Sequence, residues 1–67
     1  MIRPRGTVET AYDGDRWYNR VLGSYAVANF RDTQEAAEAK GRSMAQARRA
    51  HHVVKDQDGN VVSTTEY

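Results

Sequence analysis

Residues 7–22 read TVETAYDGDRWYNRVL, and this stretch decides the fold. Thr7 to Tyr12 reads as a strand, with Val8, Thr10 and Tyr12 sharing one face at a period of two. Asp13-Gly14 then gives the strongest short signal for a hairpin, because Gly14 takes a positive φ without steric cost. The return strand runs from Asp15 to Leu22. It sets Trp17, Asn19 and Val21 on one face and Tyr18, Arg20 and Leu22 on the other. Arg20 is better placed in water, so the Trp17–Val21 face is expected to be the buried one.

Outward from the hairpin the signals change period. Gly23-Ser24 breaks the run, and Tyr25 to Arg31 reads as a third strand or as the second continued after a bend. A helix is expected from about Thr33 to Ala50, a stretch without Pro and rich in Ala, Glu, Gln and Arg. Asp32 is placed as its N-cap, with Glu35 three residues on as the return half of a capping box. Arg48 and Arg49 suit the negative end of the helix dipole. The apolar stripe is thin: Ala37, Gly41, Met44 and Ala45, with Ala47 at its edge. Gly41 inside a helix calls for a packing reason, and close approach to the sheet supplies one. Trp17 and other strand aromatics are expected to fill the space beside it. His51 to Lys55, the Asp56–Gly59 turn and the strand from Val61 to Tyr67 form a second hairpin. The expected architecture is α+β: an antiparallel sheet of four or five strands with one helix packed on one face. Residues 1–6 are read as a flexible lead-in and 7–67 as one domain. Which strand of the first group the C-terminal hairpin joins is left open.

Composition narrows the classes. With 67 residues and no cysteine, the chain has room for one marginally stable domain and none for disulfides or thiolate metal sites. A partner subunit is then the natural supplement. The net charge of +1 carries no whole-molecule claim about nucleic acid or membranes. No apolar run reaches the ~18 residues of a membrane span, and no hydrophobic segment follows the basic first residues. A cytoplasmic location is expected.

The order of signals also carries a resemblance. Trp17 follows a Gly-bearing turn. Asp32-Thr33, Glu35 and Ala36-Ala37 open the helix, Gly41-Arg42 and Met44-Ala45 continue it, and Val53-Val54 and Asp58-Gly59 build the last hairpin. From Val8 to Tyr67 this resembles the small bacterial family catalogued as domain of unknown function 2188. The resemblance implies the same fold and brings no activity, cofactor or catalytic residue with it.

Few constellations could carry chemistry. His51-His52 cannot both ligate one metal, because neighbours on a strand point to opposite faces. Asp56-x-Asp58-Gly59 lacks the later ligands of a calcium loop and reads as a turn. No serine stands in a nucleophile elbow and no glycine loop cradles phosphate. No enzyme, cofactor, metal or small-molecule substrate is therefore expected. Two binding surfaces are candidates. Tyr18, Leu22 and Tyr25 form a candidate interaction face for a second copy, most simply as a dimer, or for another protein. Arg16, Arg20, Arg31, Arg42, Arg48 and Arg49, interleaved with aromatics, form a candidate nucleic-acid surface, the alternative reading.

Overall fold

The computed structural model describes residues 6–24 and 26–67. Residues 1–5 of the expected lead-in and Tyr25 of the candidate interaction face lie outside the described residues. The elements run β1 (Val8–Tyr12), β2 (Trp17–Val21), β3 (Asn29–Arg31), α1 (Gln34–Arg48), β4 (His51–Lys55) and β5 (Val61–Glu66).

Local chemistry sets both hairpins. The Asp13 carboxylate accepts from the backbone N–H groups of Asp15 and Arg16 at 2.9 and 2.8 Å, and Gly14 turns the chain at φ 99°. Those two backbone donors hold the Asp13 carboxyl below its usual 3.8, Arg16 first and Asp15 second. Asp56 repeats the device, accepting from Asp58 and Asn60 at 2.9 and 3.0 Å. Each turn is thus stapled by its own leading aspartate.

The five strands form one sheet in the order β3-β2-β1-β4-β5. The sheet is mixed, which corrects the antiparallel expectation: β1 pairs parallel with β4, Glu9 opposite Val53 and Thr10 opposite Val54. The three other pairings are antiparallel. The reason is the helix. A single helix crossing back over a sheet delivers the next strand in the direction of the one before it. β4 therefore runs with β3, and β3 runs with β1. The C-terminal hairpin joins the first strand, through β4. The third strand is also shorter than expected, with only Asn29–Arg31 paired to β2.

Helix α1 is capped by Thr33, not Asp32. Thr33 is extended (φ −125°, ψ 155°) and its Oγ1 accepts from the Ala36 N–H at 3.1 Å. Glu35 then falls in the first turn, where it meets the positive end of the dipole, and is one position short of a capping box. At the other end Arg49 takes the left-handed conformation, φ 53° and ψ 48°, and Ala50 N–H reaches back to Ala45 O at 3.0 Å. Ala37, Gly41 and Ala45 are buried, Met44 is half-buried and Ala47 is exposed. The helix packs on β1, β2, β3 and β4 and does not reach β5. Beneath it lie Val8, Trp17 and Val54; Ala11 and Val53 are buried on the opposite face of the sheet. Among the described residues no helix is long and apolar enough to cross a membrane.

Candidate functional site

The space under Gly41 is filled by polar groups rather than aromatics. A methyl group placed on Gly41 would stand 2.5 Å from Asn19 Oδ1, 2.5 Å from Thr10 Oγ1 and 2.6 Å from His52 Nε2. Those three side chains, all buried, form one hydrogen-bonded knot. Thr10 Oγ1 donates to Asn19 Oδ1 at 2.6 Å, and Thr10 Oγ1 and His52 Nε2 are 2.8 Å apart. The threonine has one proton, already given to Asn19. Nε2 must therefore carry a proton and donate it to Thr10 Oγ1. Burial pushes the His52 pKa below its usual 6.5; Arg42 adds to the shift and Glu38 opposes it. Asn19 spends both amide hydrogens, on Asn29 Oδ1 and on Ala37 O, each at 3.0 Å. Asn29 Nδ2 in turn reaches Met44 Sδ at 3.3 Å.

A Thr–His pair invites comparison with an activated nucleophile, but the proton runs the wrong way. An activating histidine accepts from the hydroxyl, whereas His52 donates to it. Thr10 is fully buried beneath the helix backbone. The knot ties α1 to β1, β2 and β4. Trp17 is buried as expected and shares this face with Asn19, but its ring lies against Tyr12, 5.0 Å away at 44°. It is the polar trio, not Trp17, that meets Gly41.

On the opposite face of the sheet Glu9 sits almost buried between two cations, Lys55 Nζ at 3.1 Å and Arg20 Nη2 at 3.6 Å. Tyr18 lies beside Phe30, with ring centroids 6.4 Å apart, and the Arg16 guanidinium stacks 3.9 Å over Phe30. His51 points to this side and meets Glu66 at 3.7 Å, so the adjacent histidines do face opposite ways. Of the candidate interaction face, Tyr18 and Leu22 are among the described residues. Tyr18 is half-buried on this face, and Leu22 is half-buried beyond the end of β2, its backbone tied to Gly6 and Thr7.

The six arginines are divided between the two sides of the sheet. Arg16 and Arg20 belong to the open face. Arg31 alternates away from Phe30 and bends back to donate to the Phe30 carbonyl at 2.7 Å. Arg42 and Arg48 are exposed on the helix and Arg49 is exposed at its C-cap. With the sheet between the two groups, they do not make one surface.

Among the described residues, the β5 edge is left without intramolecular cover. Every residue of β5 is exposed, including Val61 at 46% and Val62 at 57%. The phase of its hydrogen bonds follows from one contact. Tyr67 N–H donates to Ala50 O at 3.3 Å, and Glu66 stands opposite His51. Tyr67, Thr65 and Ser63 thus direct their backbone groups at β4, while Thr64 and Glu66 direct theirs to the free edge. A register shift at Val54/Lys55 limits the regular part of this edge to the Ser63 end. The expectation of aromatics beside Gly41 missed the polar knot. The signal for the knot was present in Thr10, Asn19 and His52 at inward positions and Gly41 above them.

Residues 7–67 match the family model described as an uncharacterized protein conserved in bacteria, DUF2188. The chain belongs to DUF2188. No curated protein and no solved structure matches it. The match takes in every element from β1 to β5, so the polar knot and the open β5 edge both lie within the DUF2188 domain of this chain.

Proposed function

We propose that this DUF2188 domain is a small non-catalytic protein-interaction module that binds by strand addition at the β5 edge, in the bacterial cytoplasm. The observation that carries the reading is the contrast between the two sheet edges. β3 is three residues long, is packed by the helix and ends on Arg31. These are devices that blunt an edge. β5 is six residues long, exposed throughout and beyond the reach of the helix; it contains no Pro or Lys and one charge, Glu66. An incoming extended segment would take main-chain hydrogen bonds from Thr64 and Glu66 and side-chain contacts from the exposed valines.

Thr64→Pro is the discriminating variant. Its missing N–H is one that points outward, so the β4–β5 ladder keeps its bonds. Peptides selected from a displayed random library should be β-forming, should compete with one another, and should lose binding to Thr64→Pro. Binders that ignore this substitution, or a selection that yields none, would count against strand addition.

A further inference from the structure

We infer that the occupant of the β5 edge is a second copy of the same chain, its β5 running antiparallel about a two-fold axis beside Thr64 and Thr65. The inference rests on the strand-addition reading above and names the partner. Three observations lead to it.

The first is charge. Glu66 is the one ionised side chain on β5, and it lies near one end of the strand. A parallel, in-register pairing would set the two Glu66 carboxylates side by side, roughly 5 Å apart across neighbouring strands. A two-fold antiparallel pairing avoids this. With the axis at Thr64, Glu66 faces Val62 of the second copy; with the axis at Thr65, it faces Thr64. Both are neutral.

The second is hydrogen-bond phase. A two-fold pairing must match outward groups with outward groups. Thr64 and Glu66 present theirs to the free edge, and the register shift confines the regular edge to the Ser63–Tyr67 end. Thr64 opposite itself, or Thr64 opposite Glu66, satisfies the requirement. Alternatives centred nearer Val61 fall on the bulge, where the outward row is interrupted.

The third is closure. Pairing β5 with the β3 edge of another copy would be heterologous and would propagate without end. Pairing β5 with β5 consumes the unguarded edge in both copies. The ten-stranded sheet that results ends at each side on β3, the edge that the helix and Arg31 already guard.

Because the contact is one strand wide, the dimer should be of moderate affinity and concentration-dependent. Sedimentation across a dilution series should show dimer giving way to monomer. The melting temperature should rise with concentration. The Thr64 and Glu66 amides should gain protection from hydrogen exchange as the dimer fills. Thr64→Pro should weaken dimerisation about tenfold or more while leaving the monomer's circular dichroism unchanged.

The chain has no cysteine of its own, so cross-linking gives a second route that does not depend on proline being tolerated. Of Thr64→Cys and Thr65→Cys, the one on the axis should oxidise readily to a linked dimer. Opposed strand residues lie within disulfide reach. Val27→Cys, exposed in the segment before β3, should not. A protein that stays monomeric at high concentration, or cysteines at 64 and 65 that link no faster than the one at 27, would overturn the homodimer. A dimer that survives Thr64→Pro unchanged would place the contact elsewhere and overturn it too. If the chain is monomeric yet still takes up strand peptides at Thr64, the homodimer falls and the strand-addition reading stands. If neither is seen, both fall.

Discussion

Replacing Gly41 by alanine sets two effects of known sign against each other. Alanine favours a helix interior over glycine by up to ~1 kcal/mol. At Gly41 the new methyl would meet three heavy atoms at 2.5–2.6 Å, well inside ordinary van der Waals contact. None of the three is the loose end of a surface side chain. Thr10 Oγ1, Asn19 Oδ1 and His52 Nε2 are buried and bonded to one another. Either the helix lifts off the sheet or the knot opens. Overpacking of this kind typically destabilises by ~1–3 kcal/mol, and a buried polar group left unsatisfied adds ~1–3 kcal/mol. After the propensity gain is subtracted, Gly41→Ala should destabilise by roughly 1–5 kcal/mol, a large share of the stability of so small a domain. Urea unfolding followed by circular dichroism measures it, with Ala39→Gly as the control. Ala39 is exposed on the same helix, and that change should cost ~1 kcal/mol through propensity alone. A Gly41→Ala protein as stable as the parent, or more stable, would refute the close packing of α1 on Thr10, Asn19 and His52.

Two further outcomes follow from groups already described. His52 has its pKa lowered from 6.5 on folding, so the unfolded chain binds more protons in mildly acid solution. The stability it secures is full above pH 6.5 and is lost as pH falls from there towards the depressed folded value. The urea midpoint should drop across this window, and His52→Gln should flatten the drop; Asp13 and Asp56, lowered from 3.8, act only in more acid solution. Arg49 holds a left-handed backbone that glycine adopts without steric penalty, so Arg49→Gly should raise stability by ~1 kcal/mol, read as a rise in melting temperature.

The parts of this fold legible in the sequence were those set by neighbours along the chain. Asp13-Gly14 and Asp56–Gly59 announced their hairpins because each aspartate bonds to backbone within a few residues of itself. The helix announced itself by composition, and Gly41 announced close contact. The parallel β1–β4 pairing was not legible, because strand direction is fixed by where the helix crosses and not by any residue of β1 or β4. The N-cap went to Asp32 because Asp and Thr cap about equally well; only the extended backbone at Thr33 separates them. The knot was missed because polar residues at inward positions read individually as packing faults. They make sense only once Thr10, Asn19 and His52, distant in sequence, are set under one glycine. The arginines were legible as a set in composition but not in space, since β2, β3 and α1 carry them to different sides.

The parallel junction at the centre of the sheet also bears on how the chain folds as it is made. β1 lies between β2 and β4, and Glu9 stands opposite Val53, across most of the sequence. Until β4 has been synthesised, β1 can pair with β2 but has no partner for its other side. The helix itself has Thr10 and Asn19 beneath it but no His52 to complete the knot. Such long-range pairings are slow to form and leave strand edges uncovered meanwhile. The native sheet and the knot can therefore close only once synthesis has passed β4, and until then one edge of β1 stays open to other partners.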